Sequence, residues 1–156
     1  CLMHLFEENI KNLGLNIPEL PKALANYVPY KIVGKTMYIS GQAPVQNGEL
    51  IYKGKVGSDI TIEEGIEAAR LCVTNIIAAV KTGLEGDWSK LDSFVKLTGF
   101  VNCQDDFTDQ PKIINGASDM LVDIFGDQGR HARVAVGSNA LPLGISVEID
   151  AIVQLK

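Results

Sequence analysis

Arg133 interrupts an apolar segment that is typical of a β-strand, and it is the first candidate for chemistry. Its neighbours over residues 132–136 are alanines and valines. A buried charge without a partner is costly, so this guanidinium must find a partner or reach water. Glu148 and Asp150 interrupt a second, alternating segment over residues 146–155. Residues two apart on a strand lie about 7 Å from each other on one face, so both carboxylates point into the same space.

Two interpretations of Arg133 follow from these residues. In the first, it forms a structural ion pair with Glu148 or Asp150, or lies on a solvated face of the sheet. In the second, the guanidinium grips the carboxylate of a substrate through two parallel N–H bonds, a geometry that arginine offers and lysine does not. A nearby carboxylate could then orient a water molecule as a general base. The residue types and their spacing leave both interpretations open.

Several other chemistries lack their usual sequence patterns. There is no Gly-x-Ser-x-Gly elbow and no convincing Ser/His/Asp set. The two histidines are far apart in sequence and no His/Cys/Asp spacing typical of zinc occurs, so no metal site is expected. The segment 54–57, Gly-Lys-Val-Gly, lacks the spacing of a phosphate-binding loop.

Length and composition indicate one globular domain. The chain has 156 residues, of which 46% are hydrophobic and 21% are charged. No apolar run approaches the roughly 18 to 20 residues that a membrane span requires. The net charge of −5 and the scattered lysines disfavour a nucleic-acid partner. The three cysteines have no close pair, so we expect a reducing, cytoplasmic compartment and buried, unpaired Cys72 and Cys103.

The pattern of apolar residues predicts the elements that position these side chains. We expect a short amphipathic helix over 5–13, a β-hairpin over 30–39 around Gly34-Lys35, and a long helix from Thr61 to about Gly83. Thr61 and Glu64 have the spacing of a capping box. A strand is expected over 91–101, a helix over 109–125, and strands over 130–136 and 146–155. This order predicts an α+β fold, with helices on one face of a mixed sheet and the other face open to a neighbouring subunit.

Several segments together resemble one known family. They are Tyr-Ile-Ser-Gly-Gln-Ala-Pro at 38–44, Arg133 followed by Leu141-Pro142, and Val-Glu-Ile-Asp-Ala-Ile at 147–152. On these residues, the chain from 27 onward resembles the RidA/YjgF family. The segments 54–57, 115–119 and 129–133 resemble its longer branch, called endoribonuclease L-PSP-like. The chain would then be a single domain over 1–156, with residues 1–20 as an N-terminal extension.

The resemblance implies a chorismate-mutase-like fold and a homotrimer with three clefts between subunits. The implied activity is hydrolysis of reactive 2-imino acids, and of their enamine tautomers, to 2-keto acids and ammonia, without a cofactor. Carried over by position, Arg133 would bind the substrate carboxylate and Glu148 would orient the water. The other cleft residues that the resemblance implies are Tyr27, Ser40, Asn115 and, through its backbone N–H, Gly41.

One position departs from the family pattern. The cysteine that the family has two residues after the arginine is Ala135 here. A role of that position through its backbone carbonyl would survive, whereas a role of a thiol would not. Two alternatives therefore stay open: a trimer that binds small carboxylates without turnover or in regulation, and an endoribonuclease or translation inhibitor. The acidic net charge and the lack of a histidine pair disfavour the second.

Overall fold

The computed structural model describes residues 2–20 and 25–156, with side chains from residue 5 onward, so Cys1 lies outside the described part. The helices are α1 (Leu2–Asn12), α2 (Ile62–Gly83) and α3 (Gln110–Phe125). The strands are β1 (Tyr30–Val33), β2 (Thr36–Gln42), β3 (Val45–Gln46), β4 (Glu49–Leu50), β5 (Leu91–Asn102), β6 (Ala132–Ser138) and β7 (Val147–Leu155). Short 3-10 turns lie at Trp88–Lys90, Gly126–Gly129 and Pro142–Gly144.

Five strands form one mixed sheet in the order β1-β2-β7-β5-β6. Only β5 and β6 run parallel, because the chain crosses between them through α3; the other neighbours are antiparallel. The α+β fold with a mixed sheet is thereby confirmed. The small hairpin of β3 and β4 was not predicted, since each of its strands has only two residues and carries no periodicity.

The strand that the sequence predicts over 130–136 begins two residues later in the structure, as β6. Its pairing with β5 begins at Ala132, opposite Lys96. The backbone N–H of Arg130 instead donates to the carbonyl of Asp127 and closes the preceding 3-10 turn. Arg130 therefore belongs to the turn and lies outside the strand.

Helix α2 begins as the sequence predicts. The Thr61 hydroxyl accepts from the Glu64 backbone N–H, and the Glu64 carboxylate accepts from the Thr61 backbone N–H, which completes the capping box. Helix α3 packs beside α2 on the same face of the sheet. The two helices approach closely at Gly116, where a Cβ would lie 2.6 Å from the backbone oxygen of Ile66. None of the helices in the described ranges is long and apolar enough to cross a bilayer.

The core lies between these two helices and the sheet. On β7, the residues that face the helices are buried, whereas Glu148 and Asp150 on the opposite face are only partly covered. This alternation confirms the two faces predicted for the segment. Cys72 and Cys103 are unpaired and buried, as expected for small apolar side chains.

Helix α1 closes one end of the core with an aromatic cluster. Phe6 packs edge-on against Trp88 and Phe125, and Phe94 adjoins Phe125. The indole N–H of Trp88 donates to Glu7, whose carboxylate also pairs with Lys81 at 2.8 Å. These contacts fix the first segment of the chain onto the rest of the fold.

The face of the sheet opposite the helices is open and partly apolar. Tyr38 is 50% exposed, Val134 39% and Val136 40%. Phe100 and Ile152, between them on the central strands, are partly buried. Several exposed apolar side chains on one face of a structured sheet are typical of a surface that another protein covers.

Candidate functional site

Arg133 lies on β6, the strand at one edge of the sheet. It pairs with Leu97, which is fully buried beneath the helices. Paired residues on neighbouring strands share a face, so the arginine side chain extends along the helix-covered side. There it reaches α3, where its Nη1 donates to Asn115 Oδ1 at 2.7 Å and to Ser118 Oγ at 3.2 Å.

These two bonds use both hydrogens of Nη1. Among the described residues, Nε and Nη2 have no hydrogen-bond or ion-pair partner, and Arg133 pairs with neither Glu148 nor Asp150. The ion-pair interpretation is therefore wrong within one chain. One edge of the guanidinium fork remains free to bind a planar anion such as a carboxylate through two N–H bonds.

A serine and a histidine adjoin this arginine. Ser118 Oγ lies 2.9 Å from His131 Nε2, and His131 Nδ1 lies 2.6 Å from the carbonyl oxygen of Gly129. A cavity of about 310 Å³ opens beside them and is lined by Ser118, Asp119, Val122, Arg130, His131 and Arg133. This contact was not predicted from the sequence. Ser118 lies one helical turn after Asn115 and His131 lies just before β6, so no local pattern in the sequence joins the two residues.

His131 is held in its neutral form. Burial lowers the pKa of His131 below its usual 6.5, and the positive charge of Arg133 lowers it further, although the bond to the Gly129 carbonyl opposes both. A carbonyl oxygen only accepts, so Nδ1 carries the proton and Nε2 is left as an acceptor for the Ser118 hydroxyl.

Glu148 lies on β7 and faces the open side of the sheet. Its carboxyl group rests on the backbone of Gly41, where an added Cβ would lie 3.0 Å from Glu148 Cδ. Strand β2 is irregular at this point, because Ile39 pairs with Ala151 and Gln42 with Ile149, which leaves one extra residue in β2. Such a bulge locally redirects the backbone, and here it brings Gly41 under the carboxylate.

The pKa values of both carboxylates on this face are raised. Burial raises the pKa of Glu148 above its usual 4.5, and the negative charge of Asp150 raises it further. Burial also raises the pKa of Asp150, although a hydrogen bond from Thr98 and the charge of Lys96 oppose this shift. Glu148 is therefore a stronger base than an exposed glutamate.

Ser40 has a structural role beside Glu148. Its hydroxyl donates to the carbonyl oxygen of Val28 at 2.6 Å, and its backbone N–H donates to that of Pro29. These bonds fix the segment that leads into β1. Tyr27 immediately precedes this segment and its side chain is 54% exposed.

Ala135 lies on the same side of β6 as Arg133. It pairs with Gly99 on β5 and packs at the margin of the core. Its methyl group supplies no thiol and no hydrogen-bonding side chain at this position.

The predicted site residues thus form two groups in one chain. The arginine group contains Arg133, Asn115 and Ala135, together with Ser118 and His131. The glutamate group contains Glu148, Ser40 and Gly41, with Tyr27 adjoining. Strand β5 separates the two groups, so their strands lie about 10 Å apart, and the two charged side chains extend from opposite faces. One chain does not bring Arg133 and Glu148 together.

Comparison with known proteins places this arrangement in a family. Residues 7–153 match the model of a family described as "YjgF/chorismate mutase-like, putative endoribonuclease". Protein TCP17 of Trypanosoma cruzi is 39% identical, over 95% of this chain and 92% of its own length.

Two solved structures are similar along nearly the whole chain. Protein Atu1372 from Agrobacterium tumefaciens is 43% identical with a TM-score of 0.93, over 99% of this chain and 95% of its own. A protein from Shewanella oneidensis, described as a putative endoribonuclease, is 37% identical with a TM-score of 0.92, over 96% of this chain and 99% of its own. The sequence match and the shared sheet and helices lead to one conclusion: this chain belongs to the YjgF/chorismate mutase-like family.

Proposed function

We propose that the protein is a cofactor-independent hydrolase that converts reactive 2-imino acids, and their enamine tautomers, to 2-keto acids and ammonia. The observation that carries the proposal is the half-used guanidinium of Arg133, with Nη1 bonded to neutral groups and the Nε/Nη2 edge free. The two buried, unpaired cysteines, Cys72 and Cys103, agree with a cytoplasmic location.

The first step of the proposed reaction is capture of the substrate carboxylate by Arg133. Asn115 and Ser118 hold one nitrogen of the fork, and the free edge forms two parallel bonds to the carboxylate. The imine carbon is then held at a fixed distance and angle from the arginine. Fixing the reactants in this way can supply several kcal/mol of the barrier reduction, without any covalent intermediate on the protein.

The second step is addition of water. Glu148 accepts a proton from a water molecule as its oxygen attacks the imine carbon, and the C=N double bond becomes a single bond. The nitrogen takes up this proton from Glu148, which gives a carbinolamine with a hydroxyl and an amino group on the same carbon. The hydroxyl proton then passes through Glu148 to the amino group, the carbon–nitrogen bond breaks so that ammonia leaves, and the carbon–oxygen double bond forms. The raised pKa of Glu148 supports this role, because a base accepts a proton more readily when its pKa approaches the working pH.

The two groups would meet between subunits of a homotrimer. Within one chain, Arg133 and Glu148 lie on strands separated by β5 and on opposite faces. The arginine lies on the edge strand, while the glutamate lies on the open face that carries the exposed Tyr38, Val134 and Val136. An edge of one subunit placed against the open face of the next would bury these apolar side chains and complete the site.

The proposal is tested by trapping the imine. We would generate 2-iminobutanoate and 2-iminopropanoate in situ with an amino-acid oxidase or a dehydratase, in the presence of semicarbazide. The protein is expected to lower the amount of trapped imine and to speed formation of the keto acid. Arg133→Ala should abolish both effects. Arg70→Ala, which removes an arginine near Glu67 on α2, is the matched control and should stay active.

A second candidate function is binding of small carboxylates without turnover. The methyl group of Ala135 at the family's cysteine position favours it, because it leaves the Arg133 anchor intact and removes one reactive side chain. A well-folded oligomer that binds 2-oxobutanoate through Arg133, yet leaves every imino acid to hydrolyse at the spontaneous rate, would establish this second function and exclude the first.

A further inference from the structure

We propose that Ser118 and His131 are positioning residues that fix the rotation of the Arg133 guanidinium, through a chain of hydrogen bonds beginning at the Gly129 carbonyl. This inference rests on the proposed function, because it concerns how Arg133 meets a carboxylate. Neither residue belongs to the set implied by the family resemblance. Both line the cavity beside Arg133.

In the first hydrogen bond of this chain, between His131 and Gly129, the donor and the acceptor are fixed. The Gly129 carbonyl oxygen can only accept, so the proton of the neutral imidazole is on Nδ1, 2.6 Å away. This assignment leaves Nε2 with a lone pair in the plane of the ring. Gly129 packs closely against α3 from the following 3-10 turn, because a Cβ there would lie 2.2 Å from the backbone oxygen of Leu121.

The second link orients the serine hydroxyl. Ser118 Oγ is 2.9 Å from Nε2, and since Nε2 can only accept, the hydroxyl hydrogen points at His131. The lone pairs of Oγ are then directed away from the histidine. One of them meets Nη1 of Arg133 at 3.2 Å. A serine without this acceptor could turn its hydrogen toward the arginine and repel it.

The third link fixes the guanidinium. Asn115 and Ser118 take one hydrogen each from Nη1, so both hydrogens of that nitrogen are used. The planar group cannot rotate about its Cζ–Nε bond without breaking two bonds, and the Nε/Nη2 edge stays free of partners among the described residues. With Asn115 alone, one hydrogen would be free and the plane of the group would be less restrained.

The charges around His131 agree with a neutral imidazole. Arg133, whose charge lowers the pKa of His131, and Arg130 in the preceding turn are cationic, while Asp119 on α3 lines the same cavity. Asp127 neutralises Arg130 through an ion pair at 3.2 Å. Lys96, on the neighbouring strand, pairs with Ala132 and so points to the other face of the sheet. Burial and the charge of Arg133 keep the pKa of His131 below its usual value, so the imidazole is neutral at neutral pH, as the chain of hydrogen bonds requires.

The inference is tested first on the unaltered protein. In ¹⁵N NMR of the guanidinium groups, Arg133 should give separate, slowly exchanging Nη1 and Nη2 signals, whereas the exposed Arg130 should give averaged ones. Ser118→Ala and His131→Leu should average the Arg133 signals. Ser118→Thr keeps the hydroxyl and His131→Gln keeps an acceptor near the Nε2 position, so both should restore separate signals.

The same variants are then compared in binding of 2-oxobutanoate, a stable keto acid. Loss of one hydrogen bond to a charged group predicts a dissociation constant raised about 10-fold for Ser118→Ala and for His131→Leu, with recovery in the Thr and Gln variants. If Arg133→Ala binds as tightly as the unaltered protein, the proposed function fails. If Arg133→Ala loses binding but Ser118→Ala and His131→Leu do not, only the positioning role is overturned.

Two further results would also overturn the positioning role. Averaged Arg133 signals in the unaltered protein would show that the group is not fixed, whichever variants fold. A covalent adduct on Ser118 after incubation with substrate would instead make the serine a nucleophile with His131 as its base, an arrangement that the 2.9 Å contact also permits.

Discussion

Glu148 can occupy its position because residue 41 is a glycine and has no side chain. The carboxyl group rests on Gly41, whose backbone does not adopt a positive φ and would accept other residues if space allowed. The requirement for glycine is one of contact distance, since Glu148 Cδ lies 3.0 Å from where a Cβ would be. Arg133 is likewise held by neutral groups, Asn115 and Ser118. Both charges are therefore oriented by neighbours that do not neutralise them.

Gly41→Ala tests the contact beneath Glu148. The added methyl group should push the carboxylate away from its position, so we expect imine hydrolysis to fall by at least ~10-fold, because small displacements of a reacting group are costly. The thermal midpoint should change by only a few degrees, since Gly41 is exposed. Gly34→Ala would not be a fair control, because Gly34 has a φ of 61°.

A suitable control is Ser58→Ala, at an exposed loop residue. Its turnover should match that of the unaltered protein. If Gly41→Ala retains full activity in the semicarbazide assay, then the position of Glu148 over Gly41 does not matter for the reaction.

Asp150→Asn should lower the pKa of Glu148, because it removes the nearby negative charge. The acid limb of the activity profile should then move to lower pH. The stability of the fold should also depend on pH. Glu148 binds its proton more tightly in the folded chain than in the unfolded chain, where its pKa is near 4.5. The free energy of unfolding should therefore fall as pH rises from 4.5 through the folded-state pKa. Asp150→Asn should weaken this fall. Denaturant unfolding at several pH values and carbon NMR of the Glu148 carboxyl would measure both, and an unmoved acid limb would remove Glu148 as the base.

Among the elements, the regular helices and strands could be predicted from the periodicity of apolar residues, whereas features that depend on contacts between strands could not. The long helix from Thr61, the hairpin after Tyr30 and the alternating strand 147–155 follow from local patterns. The bulge in β2 could not be predicted, because it depends on β7, which is distant in sequence. The hairpin of β3 and β4 has strands of only two residues, too short to show periodicity, and its one local signal is the turn Asn47-Gly48.

The same reason limits what sequence shows of the site. Arg133 and Glu148 stand out because a charge in an apolar strand is unusual by itself. The Ser118–His131 contact joins a helix to a turn, and nothing local marks either residue. The separation of the arginine and glutamate groups by β5 follows from strand order, which the sequence does not specify.

Helix α1 should contribute measurably to the free energy of unfolding. Phe6 is 2% exposed and packs against Trp88 and Phe125, so Phe6→Ala should lower the unfolding free energy by about 3–5 kcal/mol. Leu5→Ala is the matched control on the same helix, because Leu5 is 47% exposed and its loss should cost within ~0.5 kcal/mol. Urea unfolding at one fixed protein concentration would separate the two. Equal effects would mean that α1 does not rest on this cluster in solution.

For the whole molecule, the positions of the arginine and glutamate groups require that an oligomer bring the arginine group of one subunit to the glutamate group of the next. The arginine group lies at an edge strand and the glutamate group on the open face, so a head-to-tail ring would place unlike surfaces together at every interface. Each subunit would then supply an arginine to one neighbour and a glutamate to the other.

Mixing two inactive variants tests this sharing. Arg133→Ala and Glu148→Gln should each be inactive alone. If the subunits form the proposed ring, an interface in a random mixture is intact when the first variant supplies the glutamate and the second the arginine, so about a quarter of the full activity should return. Arg133→Ala mixed with the double variant is the control and should stay inactive. A mixture that recovers nothing would place both residues in the same subunit's site.

Strand β7 lies at the centre of the sheet but comes after every other strand in the chain. It pairs with β2 on one side, where Thr36 meets Gln154, and with β5 on the other. During synthesis, the sheet therefore cannot close until residues 147–155 have left the ribosome. Until then, the edges of β2 and β5 that pair with β7 have unpaired backbone N–H and C=O groups. A nascent chain stalled before β7 should remain sensitive to protease and bound by chaperones, so this sheet must form only after residues 147–155 have been translated.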